Sequence, residues 1–278
     1  MQFASLPQSY KGRYPFTLAA PSFIYPADYI INVKLLAPYL DEIELLFFDS
    51  ASAADLPDEV LVQELAALAN DSDLSYNIHL PTDIDPGAQD AAVRQKARDT
   101  IKYIIAQTEV LEPSTYTLHL PFNAAADTNS VRSRRKRICD SMERLLSDGL
   151  NSRKITIENL HFPFEWADEI ITDFDFSVCL DCGHLFLMGA NPESTFDQYA
   201  DRITTLHLHG VANGQDHLSL DRLTDSQIAG LMRILERFNG VVSVEVFSFA
   251  NLQTSLDLLT SRYEVQPRFL HNNYKESG

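Results

Sequence analysis

The chain has 278 residues, is 45% hydrophobic and carries a formal net charge of −17. This length is sufficient for one large core, so we expect a single domain spanning 1–278, with a core from about residue 14 to 265 and frayed ends. The negative charge argues against nucleic-acid binding, which draws its affinity from clustered Lys and Arg. A small-molecule substrate is expected instead.

Short apolar runs alternate with longer amphipathic segments along the whole chain. Helices are predicted at 57–70 and 89–110, among others, because their apolar residues recur at helical spacing. The predicted strands are 16–20, 42–47, 75–80, 115–120, 154–159, 176–181, 203–209 and 241–246. Eight such βα units predict an α/β fold, a (β/α)8 TIM barrel. An open doubly wound sheet is disfavoured, because no GxGxxG follows the first strand.

The predicted strands share one pattern of alternation. Aliphatic side chains fall on one parity and polar ones on the other, so the polar side chains converge on one interior. Residues able to ligate a metal stand at the carboxyl ends of the strands, where such barrels carry their chemistry. They are His79, His119, Glu158, Asp181, His184, His207, His209 and Glu245.

The mixture of imidazoles and carboxylates predicts a divalent-metal site. Zinc is favoured, with manganese or iron as alternatives. The competing interpretation is a hydrogen-bonded polar plug inside the barrel, but burying Glu158, Asp181 and Glu245 without a cation would be unfavourable.

The order of these ligands resembles the xylose-isomerase-like, AP endonuclease 2 barrel superfamily, which includes enzymes of the endonuclease IV type. The resemblance implies one metal between His79, His119 and Glu158, with Glu158 bridging to a second held by Asp181, His207 and Glu245. It implies a third metal at His184, Asp216 and His217. The adjacent Asp216-His217 pair departs from the family's Asp-x-His spacing, which leaves the third metal open. His209 is an additional inward histidine that replaces a ligand or contacts substrate.

Within that superfamily, three segments look most like the cobamide remodelling phosphodiesterases: SFIYPADYIINVKLLAPYLDEIELLFFDS, LHLHG and DHLSL. This implies hydrolysis of the cobamide nucleotide loop at the phosphoribosyl linkage, giving cobinamide phosphate and a riboside. Glu158, Glu245 and His209 are the expected catalytic residues. Residues expected to bind substrate are Phe23, Tyr25, Asp28 and Trp166.

Two alternatives stay open at this stage. A sugar or sugar-phosphate isomerase or epimerase would use Glu158 and Glu245 as an acid/base pair across a metal. However, no predicted strand end supplies a Lys or Arg for a sugar phosphate. A non-catalytic corrinoid-binding or metal-binding barrel is the second alternative, for which broken ligand positions would be expected.

The sequence also predicts a cytoplasmic protein without a membrane partner. Its three cysteines are too few for a disulfide framework, and the first residues lack the apolar region of a secretory signal. No apolar run approaches the roughly 20 residues needed to cross a bilayer.

Overall fold

The eight parallel strands form a closed barrel, which confirms the predicted (β/α)8 TIM barrel. The structure, a computed structural model, describes residues 3–51, 56–147 and 149–265. The expected frayed ends lie partly outside the described residues, at 1–2 and 266–278. Before residue 14, however, Leu6 and Tyr10 are described and are buried in the hydrophobic core. The barrel strands are β1 (Thr17–Pro21), β2 (Glu42–Leu46), β3 (Ser75–His79), β4 (Tyr116–Leu118), β5 (Ile155–Glu158), β6 (Ser177–Asp181), β7 (Ile203–Leu208) and β10 (Val241–Val244).

Helices surround the barrel, and most of the longer ones begin at an Asp or Thr whose side chain accepts a backbone N–H of the first turn. The predicted helix 57–70 is observed at Glu59–Ser72, and 89–110 at Ala91–Thr108 followed by a short 3₁₀ turn. The helices are α1 (Tyr29–Leu36), α2 (Glu59–Ser72), α3 (Ala91–Thr108), α4 (Thr128–Leu146), α5 (Asp168–Asp173), α6 (Cys182–Leu187), α7 (Pro192–Tyr199), α8 (Asp225–Leu235) and α9 (Phe249–Val265).

Strand alternation separates an apolar outer face from a polar interior. Tyr76 points outward, and its hydroxyl donates to the Leu65 carbonyl in α2 at 2.9 Å. Its neighbour Asn77 points inward and donates to Glu42 Oε1 at 2.9 Å. Burial raises the pKa of Glu42, although hydrogen bonds from neighbouring side chains oppose the shift. A hydrogen-bonded polar plug therefore exists, but it lies at the amino ends of the strands.

A β-hairpin not foreseen from the sequence interrupts the βα alternation after β7. It consists of β8 (Gly210–Ala212) and β9 (Gln215–Leu218), which pair antiparallel. Asn213 and Gly214 form its turn with φ of 53° and 76°, the left-handed region that Asn and Gly adopt most readily. The hairpin places Asp216 and His217 beside the carboxyl ends of the strands.

Within the described part of the chain, we find no helix with the length and apolar character required to span a membrane.

Candidate metal centre

The first group of ligand-type side chains surrounds one oxygen of Glu158. Glu158 Oε2 lies 3.2 Å from His79 Nε2 and 2.9 Å from His119 Nε2. The three side chains come from the ends of β5 and β3 and from just beyond β4. They lie close together because parallel strands have their carboxyl ends at the same rim of the barrel. This is the first ligand set implied by the resemblance.

The second group lies on the other side of the same carboxylate. Glu158 Oε1 is 3.6 Å from His207 Nδ1, which is also 3.1 Å from Glu245 Oε2 and 3.9 Å from Asp181 Oδ2. All four side chains are buried, with ligand atoms within 4.8 Å of one another. Glu158 thus directs one oxygen toward each group, the arrangement expected of a bridging ligand.

A third group is centred on His184, at the start of α6. Its Nδ1 lies 3.5 Å from Glu158 Oε1 and 3.4 Å from Asp181 Oδ2. Asp181 Oδ1 is also 3.2 Å from His209 Nε2, so Asp181 connects the second and third groups.

The composition of this third group differs from the set implied by the resemblance. His184 shares one set of potential ligands with His209 and His217, and another with His161 and Asp216. Asp216 and His217 each belong to a set that contains His184, and the backbone of His217 lies in the left-handed region with a φ of 50°. His209 lies among these potential ligands. His161, which is exposed and was not predicted as a ligand, approaches them from the loop after β5.

Electrostatic interactions favour the charged forms of Glu158 and His79. Burial alone would raise the pKa of Glu158, but His119 and His207 together keep it well below its usual range. Burial alone would lower the pKa of His79, but Glu158 raises it to about 9. His79 Nδ1 also lies 2.9 Å from the Leu80 carbonyl, so both of its ring nitrogens face acceptors.

The second group has two features expected of a binding site for a divalent cation: buried polar atoms without a partner, and suitable distances between its donor atoms. Among the described residues, His207 Nδ1 and Glu245 Oε2 are buried without a hydrogen-bond partner. Bonds of about 2.1 Å in tetrahedral geometry place donor atoms about 3.4 Å apart. The separations of 3.1, 3.6 and 3.9 Å around His207 Nδ1 lie near that value.

Comparison with known proteins places the chain in a family. Residues 40–262 match the family described as xylose isomerase-like TIM barrel. The chain belongs to this family. A search of curated proteins finds no significant match.

Several solved structures of diverse activity share the fold. A D-tagatose 3-epimerase-like protein aligns at 18% identity and a TM-score of 0.75, covering 90% of this chain and 98% of that one. Endonuclease IV from Thermus thermophilus aligns at 17% identity and a TM-score of 0.63, covering 88% and 99%. The IOLI protein, solved with a bound zinc atom, aligns at 15% and 0.64, covering 89% and 96%. At these identities the similarity shows the fold alone.

Two side chains that contact the candidate ligands of this xylose isomerase-like barrel were missed in the sequence. Asn159 accepts from the Asp181 N–H at 2.7 Å and donates to the Asp181 carbonyl at 2.9 Å, which fixes the backbone at that ligand. Glu44 Oε1 lies 3.0 Å from His207 Nε2. Glu44 was missed because only strand ends were considered, although its inward parity in EIELL is a usable signal.

The residues predicted to bind substrate separate into two sets. Phe23 and Tyr25 line a pocket of about 670 Å³ beside the candidate metal centre, together with Phe48 and Phe247. Tyr25 is only 4% exposed, and its hydroxyl donates to the Ala4 carbonyl.

The other two predicted substrate residues are not among the described residues that line this pocket. Asp28 is the N-cap of α1 and accepts from the Ile31 N–H at 2.8 Å, which gives it a structural role. Trp166 packs against Phe122 and Phe162, with ring centroids 5.9 and 6.2 Å away.

Proposed function

We propose that this protein is a metal-dependent phosphodiesterase. The observation that carries the proposal is the division of the Glu158 carboxylate between two ligand groups. Oε2 lies 2.9 Å from His119 Nε2, and Oε1 lies 3.6 Å from His207 Nδ1. Paired divalent metals bound in such a site activate water and neutralise charge on both oxygens of a phosphodiester displacement.

The side chains of the protein would position the metals, the attacking water and the phosphodiester. Glu158 orients the two ligand groups relative to each other, and Glu245 holds the far side of the second group. His209 lies against Asp181, within reach of the third group. We propose Glu158, Glu245 and His209 as the residues in contact with the reacting atoms.

We propose a cobamide as the substrate, cleaved at the phosphoribosyl linkage to cobinamide phosphate and a riboside. Support comes from the local sequence resemblance and from the aromatic pocket. Phe48 and Phe247 are each 38% exposed there, and the Phe247 ring lies 4.8 Å from that of His217. An apolar wall beside a metal centre suits a large ligand that joins an apolar ring to a phosphodiester.

A second candidate is a sugar or sugar-phosphate epimerase. The D-tagatose 3-epimerase-like structure shares the fold, and Glu158 and Glu245 belong to one set of potential ligands, where they would flank a single bound metal as an acid/base pair. This candidate gives no role to the additional group of His79 and His119, and so we rank it lower. DNA cleavage is disfavoured by the net charge of −17.

The test is incubation of the purified protein with a cobamide and zinc, manganese or iron, with products identified by mass spectrometry. We expect cobinamide phosphate and the riboside, and neither product in the presence of a chelator. Bis(p-nitrophenyl) phosphate serves as a small diester that requires the metals but not the aromatic pocket. Turnover of a ketose or ketose phosphate, with both diesters left intact, would reverse the ranking.

A further inference from the structure

A second buried carboxylate lies directly behind one of the metal-ligand candidates. Glu44, on β2, is fully buried. Its Oε1 lies 3.0 Å from His207 Nε2, and its Oε2 accepts from the Ser243 hydroxyl at 2.5 Å. Ser243 is the register partner of His207 on the adjacent strand β10. The side chains of Ser243, Glu44 and His207, which come from three different strands, therefore form one continuous chain of contacts.

The two nitrogens of His207 face opposite surroundings. Nδ1 faces the ligand group, 3.1 Å from Glu245 Oε2, and Nε2 faces Glu44. His207 Nε2 and Glu44 Oε1 are at hydrogen-bond distance without being aligned, and neither has another hydrogen-bond partner among the described residues. An imidazole that binds a metal through one nitrogen keeps its proton on the other, and that proton requires an acceptor.

We propose that Glu44 is a positioning residue for the metal centre. It accepts the Nε2–H of His207, fixes the tautomer and directs the Nδ1 lone pair toward the cation. Carboxylates that bind the remote N–H of a ligating histidine in this way raise its basicity and fix the ring orientation. The inference rests on the metal-binding part of the proposed function and is independent of the substrate.

The same strand supplies a matched control. Glu42 lies two residues before Glu44, points to the same interior and is 2% exposed. Its carboxylate accepts from three neutral donors, Ser75, Asn77 and Ser114. Glu42→Gln therefore removes a buried carboxyl group from the same strand while leaving the Glu44–His207 contact in place.

The experiment measures the affinity for zinc alone, by competition with a chromogenic chelator. His207→Ala first identifies which bound ion depends on that ligand. We expect Glu44→Gln to bind this ion about 10- to 100-fold more weakly. Ser243→Ala should show a smaller loss in the same direction, because it frees the Glu44 carboxylate to rotate. Glu42→Gln should bind zinc as the unaltered protein does.

Histidine-selective ¹⁵N spectra provide a readout that a purely structural role would not change. In the zinc-loaded protein we expect His207 to be protonated at Nε2, with the proton resonance shifted downfield by the carboxylate. In Glu44→Gln that resonance should move upfield, because an amide is a weaker acceptor. Glu42→Gln should leave it unchanged.

Four results would contradict this inference or its basis. Unchanged zinc affinity in Glu44→Gln, or an equal loss in Glu42→Gln, would overturn it. If Glu44→Gln does not fold, unchanged affinity in Ser243→Ala would do the same. If the unaltered protein binds no zinc, the proposed metal centre itself fails.

Cys179 offers a competing account, because its thiol lies in one group with His207 and Glu158. A loss in Cys179→Ala together with none in Glu44→Gln would assign the positioning role to the thiol.

Discussion

Glu158 combines deep burial with an unusual density of imidazoles around its two oxygens. The ring nitrogens that lie within 3.6 Å of one of these oxygens belong to His79, His119, His184 and His207. The attraction of His119 and His207 outweighs the desolvation of the buried carboxylate and holds the pKa of Glu158 well below its usual range. The side chain is therefore an anion throughout the physiological pH range, as a ligand for a cation must be.

Glu158→Gln should abolish turnover and leave the fold intact. The amide keeps the shape of the side chain but removes the charge shared by two ligand groups. The loss of activity should therefore exceed the roughly 10- to 100-fold effect typical of residues behind the ligands. Steady-state kinetics and circular dichroism measure the two quantities, with Glu165→Gln, an exposed glutamate seven residues further on, as control. An active Glu158→Gln enzyme would contradict the proposed mechanism.

Zinc binding should release protons at neutral pH. Glu158 raises the pKa of His79 to about 9 against the opposing effect of burial, so His79 is an imidazolium in the metal-free protein at pH 7.5. A metal must displace its Nε2 proton, and zinc affinity should therefore increase as the pH rises toward 9. Calorimetry in buffers of different ionisation enthalpy counts the protons, and His79→Ala should release about one fewer. A count that does not change in His79→Ala would contradict this assignment.

The raised pKa of His79 also makes the stability of the metal-free protein depend on pH. Zinc affinity should increase as the pH rises, whereas this stability should decrease. A histidine whose pKa is higher in the folded state stabilises the fold fully below its unfolded value of about 6.5. This contribution is lost as the pH rises through about 9. Without metal, we expect the free energy of unfolding to decrease between these two pH values. With zinc bound, the decrease should be absent.

At the level of single elements, the sequence predicted the strands well and their irregular neighbours poorly. A period of two identifies the inward face of a strand, and the barrel rule identifies its chemical end, so His79 and His207 could be placed at one rim. The hairpin β8–β9 is only a few residues long and has no hydrophobic period of its own. Because the hairpin was not predicted, the pattern of the sequence alone could not place Asp216 and His217 beside the carboxyl ends of the strands.

Helix α6 must approach the third ligand group without a side chain at its second residue. A Cβ at Gly183 would overlap the His209 ring, so Gly183→Ala should displace His209 and reduce the zinc bound per chain. Overpacking of this kind usually destabilises a protein by about 1–3 kcal/mol. Elemental analysis and chemical denaturation measure the two effects.

Gly230 in α8 is the matched control for this prediction. A Cβ there meets only Arg233 Nη2, at 3.7 Å. Gly230→Ala should therefore bind as much zinc as the unaltered protein and gain about 0.4–1 kcal/mol of stability. Full zinc content in Gly183→Ala would show that His209 is not a ligand.

At the level of the whole molecule, closure of the barrel creates the contacts that local patterns cannot predict. Glu44 and His207 lie on strands β2 and β7, which are not neighbours in the barrel. Alternation predicts that both point inward. It does not predict how far along the barrel axis each side chain lies. That position determines that Glu44 contacts a histidine, whereas Glu42 contacts Ser75 and Asn77.

Because Glu44, Glu158, Asp181 and Glu245 are all buried inside one barrel, we expect a bound metal to stabilise the fold. A cation that binds only the folded state adds about 2.7 kcal/mol at a free concentration 100 times its dissociation constant. For a chain of this size, each kcal/mol raises the melting temperature by roughly 2–4 °C. One zinc ion should therefore raise it by about 5–10 °C.

Differential scanning calorimetry of chelator-treated and zinc-loaded protein measures this change. Glu165→Gln should show the full increase, because its exposed carboxylate lies outside the ligand groups. Glu158→Gln should lose most of it, because Glu158 belongs to both the first and the second ligand group. Equal melting temperatures with and without zinc would mean that the buried carboxylates are balanced by protonated histidines alone. The barrel would then have to be explained as a polar core without a metal.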